Sequence, residues 1–147
     1  MTRTRRRLFG RANNRPAIRP TALVVDADAQ QRELIAILLS ERGLDVIRAA
    51  SSEEAVNALR DSARQIVLIV TAMNLPSFMD GARLAAYAQQ WPWIRVVVTS
   101  QDGDGAEGLP HPAVIMPKPW LPLNMLIQAE KAVATGHNDL VRRLPTR

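Results

Sequence analysis

A chain of 147 residues with no cysteine is long enough for one domain with a sizeable core, and it excludes disulfides, thiolate metal sites and thiol chemistry. An apolar fraction of 47% and a charged fraction of 22% are those of a soluble globular protein, and no apolar run approaches the roughly 20 residues of a membrane-spanning helix. The net charge of +5 belongs to the ends: residues 1–20 hold seven arginines and no acid, residues 21–138 nine basic and thirteen acidic residues, and residues 139–147 three arginines and one aspartate. The pI near 10.9 therefore describes basic tails on a mildly acidic body, not a basic face that reads DNA.

Residues 1–20 are too polar, too proline-marked and too uniformly charged to pack a core, so a disordered basic arm is expected. Arg5-Arg6-Arg7 before Leu8-Phe9 has the start of a twin-arginine export signal. Arg11, Asn13, Asn14 and Arg15 then interrupt any apolar stretch, which rejects that reading and leaves a cytoplasmic protein as the expectation. Arg3, Arg5, Arg6, Arg7 and Arg11 suit an anionic partner such as nucleic acid or an anionic surface; a solvated tail of no specific use is the competing reading.

The body, residues 21–136, alternates strands and helices. Thr21–Val25 (TALVV) reads as a short buried strand ending in Asp26-Ala27-Asp28. A helix follows from Ala29 to about Arg42, with Leu34, Ile35, Leu38 and Leu39 on one face and Gly43 as its stop. Asp45–Ala49 is a second strand. Ser51 and Glu54 have capping-box spacing for a second helix, whose inner face is Ala55, Val56 and Leu59. Ile66–Val70 is a fully apolar strand suited to burial on both faces. After it come Met73-Asn74-Leu75-Pro76 and Asp80-Gly81, and Gly81 leads a third helix to Gln90, which Trp91-Pro92 ends. Arg95–Thr99 is a fourth strand. Gln101–Pro112, with three glycines and two prolines, is too broken for a helix. Val114–Met116 is a fifth strand, Pro117-Lys118-Pro119 turns the chain, and Leu123 to about Thr135 is a last helix. Residues 137–147 form a basic tail.

Strand–helix alternation implies an α/β fold with a parallel sheet and helices on both faces, and right-handed crossovers favour a flavodoxin-like five-stranded order 2-1-3-4-5 with the fourth helix reduced to a loop. In such sheets chemistry sits where the strands' carboxyl ends meet their loops. The residue there on the central strand is Ala72, which offers no nucleophile, ligand atom or charge.

The acidic cluster after the first strand, the M-N-L-P segment, the V-T-S after the fourth strand and the later K-P resemble, in order, the strand ends of a response-regulator receiver domain of two-component signalling. The likeness covers about Thr21 to Thr135, with one extra residue between Pro76 and Met79-Asp80-Gly81. The resemblance implies that Ala72 holds the place of the phosphoacceptor aspartate. It implies that Asp26 matches the first of two Mg²⁺-binding acids, that Ala27 stands at the second, and that Asp28 is one position late. Thr99 matches the switch hydroxyl, and Lys118 the lysine that contacts the phosphoryl group before a cis proline. Ile115 stands where an aromatic switch partner is usual.

Mg²⁺ needs several hard oxygen ligands, so with Ala27 and Ala72 in place its binding is expected to be lost or very weak, leaving Asp26 and Asp28 as weak candidates. Asp28 has N-cap spacing to Gln30 and Gln31 and is read as a cap. Asp26 and Lys118 are expected to form an ion pair across the strand ends. Thr71 should point away from the site by strand alternation, and Ser77 is a poor substitute for a carboxylate phosphoacceptor. Asp102, Asp104 and Glu107 fail the EF-hand pattern and read as a flexible connector. His111 and His137 are isolated, and Trp91 and Trp93 read as packing groups.

No nucleophile–base pair or complete metal site is evident, so no enzyme is expected and no cofactor. The expected function is that of a stand-alone pseudo-receiver of a phosphorelay, binding a histidine kinase, another response regulator or an effector without phosphorylation. The alternative is a nucleic-acid or anionic-surface binder acting through the arm.

Overall fold

A computed structural model of the chain describes residues 19–137. The arginines of the basic arm, Arg3, Arg5, Arg6, Arg7 and Arg11, and the tail from residue 138 lie outside the described residues. Five parallel strands, β1 (Thr21–Val25), β2 (Asp45–Ala49), β3 (Ile66–Ala72), β4 (Arg95–Gln101) and β5 (Val114–Lys118), form one sheet in the order β2-β1-β3-β4-β5. The four α-helices among the described residues are α1 (Ala29–Glu41), α2 (Ser52–Ser62), α3 (Gly81–Ala88) and α4 (Pro122–Ala132). The parallel sheet and its strand order are those expected from the sequence.

The sheet separates two apolar clusters. On one face Leu23, Val25, Ile69 and Val98 pack with Leu59 of α2 and Leu84 of α3. On the other, Val24, Val70, Val97 and Met116 pack with Ile35 and Leu39 of α1 and with Met125 and Ala129 of α4. Central strands covered on both sides favour apolar residues throughout, which is why Ala22–Val25 of β1 and Ile66–Val70 of β3 are unbroken apolar runs. Between β4 and β5 no α-helix forms. A turn, a three-residue 3₁₀ segment at Ala106–Gly108 and a proline-rich descent take its place, and Leu109 and Ala113 pack against the first cluster.

Local signals set the helix ends. Ser51 Oγ accepts from Glu54 N at 3.2 Å, while the Glu54 carboxylate reaches back to Ala50 N at 2.8 Å, one residue beyond the usual partner of a capping box. Gly43 takes φ +89° after α1, and Leu44 N returns to Leu39 O at 3.3 Å, closing the helix as a left-handed glycine cap does. Pro122 opens α4 at a first-turn position, where its missing N–H costs nothing. The last helix is shorter than expected: α-helical pairing stops at Ala132 and the backbone widens into a π turn over Val133–His137. Similarly α3 stops at Ala88, and Trp91 N then bonds Ala88 O at 2.9 Å.

Three strands run further than their apolar stretches. Thr71 and Ala72 extend β3, Ser100 and Gln101 extend β4, and Pro117 and Lys118 extend β5. Backbone pairing continues there regardless of side-chain polarity: Ala72 pairs with Thr99, and Gln101 with Lys118. The extensions place the site residues on rigid strand ends rather than on loops. At the other edge, Arg19 and Pro20, which the sequence assigns to the arm, are fastened to β2. Arg19 Nε lies 3.0 Å from the Asp45 carboxylate, and Asp45 N donates to Pro20 O at 3.0 Å.

Candidate functional site

The carboxyl ends of β1, β3, β4 and β5 bring the singled-out residues to one rim. Ala72 and Thr99 are partners in the ladder, Thr99 pairs in turn with Met116, and Lys118 lies two residues beyond Met116, so alternation puts all four on one face. Val25 pairs with Thr71, and Asp26 follows Val25, level with Ala72. Asp26, Ala72 and Thr99 are buried at 5%, 5% and 1% exposure, so this is an enclosed position rather than open surface. Thr71 is buried on the opposite face, where its hydroxyl donates to Ala72 O at 2.9 Å. Ser100 also faces away from Thr99's side, and its Oγ is buried without a hydrogen-bond partner among the described residues.

Asp26 is held from three sides. Its backbone N donates to Ala49 O at 3.0 Å, its backbone O accepts from Arg32 Nη1 at 2.8 Å, and Oδ1 accepts from Asp28 N at 2.9 Å. The other carboxylate oxygen, Oδ2, is buried and unpartnered among the described residues. The ion pair expected between Asp26 and Lys118 does not form: no ion pair between them lies within 4 Å. In this strand order β3 and β4 lie between β1 and β5, a separation of about 14 Å at the usual strand spacing. The Asp26 carboxylate is also committed to its own loop. Lys118, half-buried and followed by a cis peptide bond to Pro119, instead lines a notch with Gln31, Gln101 and Trp120.

Asp28 is the N-cap of α1, accepting from Gln30 N at 2.9 Å and Gln31 N at 3.3 Å. Ala27, between the two acids, is exposed. The donor set on the rim is thus one free oxygen on Asp26 and the Asp28 carboxylate, whose Oδ1 is engaged as a cap. Neither Ala27 nor Ala72 has a side-chain oxygen to add. Among the described residues no group of three or more His, Asp or Glu is gathered as a cation site would need.

Two further residues shape the rim: Ser52, which carries no motif of its own in the sequence, and Gly81, which the sequence marks only as the start of the third helix. Ser52, fully buried at the start of α2, donates from Oγ to Pro76 O at 3.3 Å and accepts from Met79 N at 3.3 Å, fastening the β3–α3 loop. Gly81 donates to Met73 O at 2.6 Å and lies so close to Ala72 O and Met73 Cα that no side chain fits there. Between these anchors Ser77, in the lengthened loop, is exposed and turns through a left-handed φ of +84°. Across the rim, Met73 N bonds Thr99 O at 2.8 Å, and its side chain extends beneath Gly105, whose φ of +89° and missing Cβ leave room for it.

The remaining candidates lie away from the rim or do not converge. Asp102, Asp104 and Glu107 are exposed on the β4–β5 connection. His111 precedes a cis bond to Pro112, and its carbonyl accepts from Gln89 Nε2 at 3.2 Å. Trp91 packs edge-on against Tyr87 with ring centroids 5.5 Å apart, and Trp93 Nε1 donates to Ala63 O at 3.0 Å. Both indoles border a cavity of about 350 Å³ below β4, at the opposite end of the sheet from Ala72.

No protein-family model matches the sequence, and no curated protein does either. Solved structures do match. A response regulator receiver protein from Sinorhizobium medicae superposes with a TM-score of 0.73 at 21% identity, over 80% of this chain and 97% of that one. The signal receiver domain of an HD domain-containing protein from Pseudomonas fluorescens gives 0.70 at 26% identity, over 90% and 99%. A response regulator receiver protein from Pseudomonas putida gives 0.68 at 29% identity, over 79% and 99%. The chain has the receiver-domain fold. Within that fold the β4–β5 connection carries only a 3₁₀ turn. No helix among the described residues is long and apolar enough to cross a membrane.

Proposed function

We propose that this receiver-fold protein is a signalling module without phosphoryl chemistry, acting by binding a protein partner: a histidine kinase, another response regulator or an effector. The observation that carries the reading is Ala72, set at the end of β3 beside Thr99 and level with Asp26. A methyl group there can neither accept a phosphoryl group nor ligate a cation. Asp26 and a capping Asp28 do not make the oxygen set that Mg²⁺ requires, so the residues present do not fit that ion. The protein is accordingly not an enzyme in this reading, and Asp26, Thr99 and Lys118 are remnants of the site.

Incubation of the full chain with acetyl phosphate and Mg²⁺ should give no phosphoryl adduct by intact mass, and millimolar Mg²⁺ should leave the melting temperature unchanged, since a ligand of the native state stabilises it. A stoichiometric adduct on any residue would sink the proposal. Capture of a kinase or regulator from native lysate, equally with the parent and with a chain lacking residues 1–18, would support the adaptor role.

The seven arginines and absent acids of residues 1–20 favour a second reading, an electrostatic binder of nucleic acid or an anionic surface. Deleting residues 1–18 should leave cooperative unfolding intact, because both apolar clusters are built from residues 22 onward. If the arm binds nucleic acid, the parent's affinity should fall linearly on a log–log salt plot and the deletion should abolish binding.

A further inference from the structure

Five of the six large hydrophobic side chains exposed among the described residues lie on one layer of the molecule. They are Leu34 and Ile37 on α1, Leu121 at the start of α4, and Leu123 and Ile127 along it. The two helices lie side by side over the same face of the sheet, sharing one buried cluster and joined near their ends by Arg42 and Glu130 at 3.1 Å. Leu34, Ile37 and Glu41 follow one another at spacings of three and four residues, which aligns them as a single stripe opposite the buried Ile35 and Leu39. Leu123 and Ile127 repeat the spacing of four on α4. Isolated exposed leucines need no explanation, but an apolar face spanning two adjacent helices does.

Among the described residues, two opposite charges flank the α1 stripe without a partner, and Lys131 on α4, four residues beyond Ile127, is a further unpaired base. Lys118 lines the notch of about 410 Å³ that opens beside Leu34, between α1 and the segment Pro119–Pro122. Glu41 is exposed at the far end of α1. Among the described residues neither forms an ion pair or a side-chain hydrogen bond. Glu41 is ten residues from Gln31, another lining residue of the notch, about 15 Å along the helix axis.

We infer that a second copy of this chain covers this face, with the two α1 helices antiparallel about a twofold axis near Ala36. That axis lays Leu34 of one copy against Ile37 and Leu38 of the other. It brings Glu41 of each copy to the Gln31–Lys118 notch of its mate, forming two equivalent ion pairs. The face is self-complementary in the sense an isologous interface demands: Glu41 and Lys118, an unpaired acid and an unpaired base, flank opposite ends of the α1 stripe. Leu123 and Ile127 extend the apolar contact along α4. The inference does not depend on how the protein signals or on the state of its phosphorylation site.

Sedimentation velocity of the full chain, from low micromolar to several hundred micromolar, should show a concentration-dependent dimer. Leu34→Lys and Ile37→Lys, both at exposed positions, should leave the far-ultraviolet circular-dichroism spectrum unchanged and the protein monomeric. Glu41→Lys and Lys118→Glu should each weaken dimerisation by about tenfold, since the twofold axis counts every pair twice. The combined charge swap, E41K with K118E, should return the dimer to within about twofold of the parent, because the pair is re-formed with reversed sign. A monomer at every concentration would overturn the inference. So would a dimer indifferent to Leu34→Lys, or a double swap no stronger than its single parents.

Discussion

Gly81→Ala is expected to destabilise the fold by about 2–3 kcal/mol, seen as a fall of roughly 10 °C in melting temperature. The reason lies in what faces the missing side chain. A Cβ at Gly81 would overlap the carbonyl oxygen of Ala72 and come within 2.9 Å of Met73 Cα. Both are backbone atoms, so no rotamer change relieves the overlap. Nor can the backbone retreat easily: Ala72 is paired with Thr99, Met73 N bonds Thr99 O at 2.8 Å, and Gly81 N bonds Met73 O at 2.6 Å. Gly81 is the first residue of α3, so alanine's better helix propensity returns less than about 1 kcal/mol, which is already set against the overlap in the net figure. Gly43→Ala separates this from a general glycine effect. Nothing lies within 4 Å of that position, and its φ of +89° should cost only about 1 kcal/mol. A Gly81→Ala chain that melts with the parent would show that α3 does not rest on the end of β3 as described.

That close approach could not have been read from the sequence, although its neighbour Ala72 could. The apolar run Ile66–Val70 locates the central strand, because a doubly covered strand favours apolar residues throughout, and the strand's mouth follows by counting. The capping role of Asp28 was legible for a similar reason, since it depends on atoms two and three residues away. Strand ends were less legible. Thr71, Ser100 and Lys118 continue their ladders through backbone hydrogen bonds, which leave no hydropathy signal. Contacts between distant segments were not legible at all: Ser52 reaches the loop at Pro76 and Met79, and Gly81 packs on Ala72, through the way α2 and α3 settle on the sheet. The Asp26–Lys118 pair was expected because both stand at strand ends. The strand order sets two strands between them, and a local hydrogen bond to Asp28 N holds the carboxylate.

Ala72→Asp alone is expected to leave the protein unphosphorylated, whereas Ala27→Asp with Ala72→Asp should create Mg²⁺-dependent autophosphorylation from acetyl phosphate. The single change supplies a nucleophile on the face shared with Thr99 and Lys118. It gives a cation only that carboxylate and the free oxygen of Asp26, because Asp28 is turned toward Gln30 and Gln31 as a cap. Phosphoryl transfer depends on neutralising charge on the transferring oxygens, and a poorly held cation does this badly. Position 27 is exposed at the rim, so an aspartate there meets no steric obstacle and adds the third carboxylate. Position 72 is buried at 5% exposure, and its new charge would stand level with Asp26. Without metal the double variant should therefore melt below the parent, as unpaired buried charge and like-charge repulsion both oppose folding. Millimolar Mg²⁺ should restore the melt in the double variant and leave the parent unmoved. Intact mass and thermal melts, each with and without Mg²⁺, read both effects. Equal phosphorylation of the single and double variants would mean that Asp28 leaves its cap to serve as a ligand. A double variant inert to both phosphoryl donor and Mg²⁺ would mean that these strand ends do not converge as the receiver fold requires.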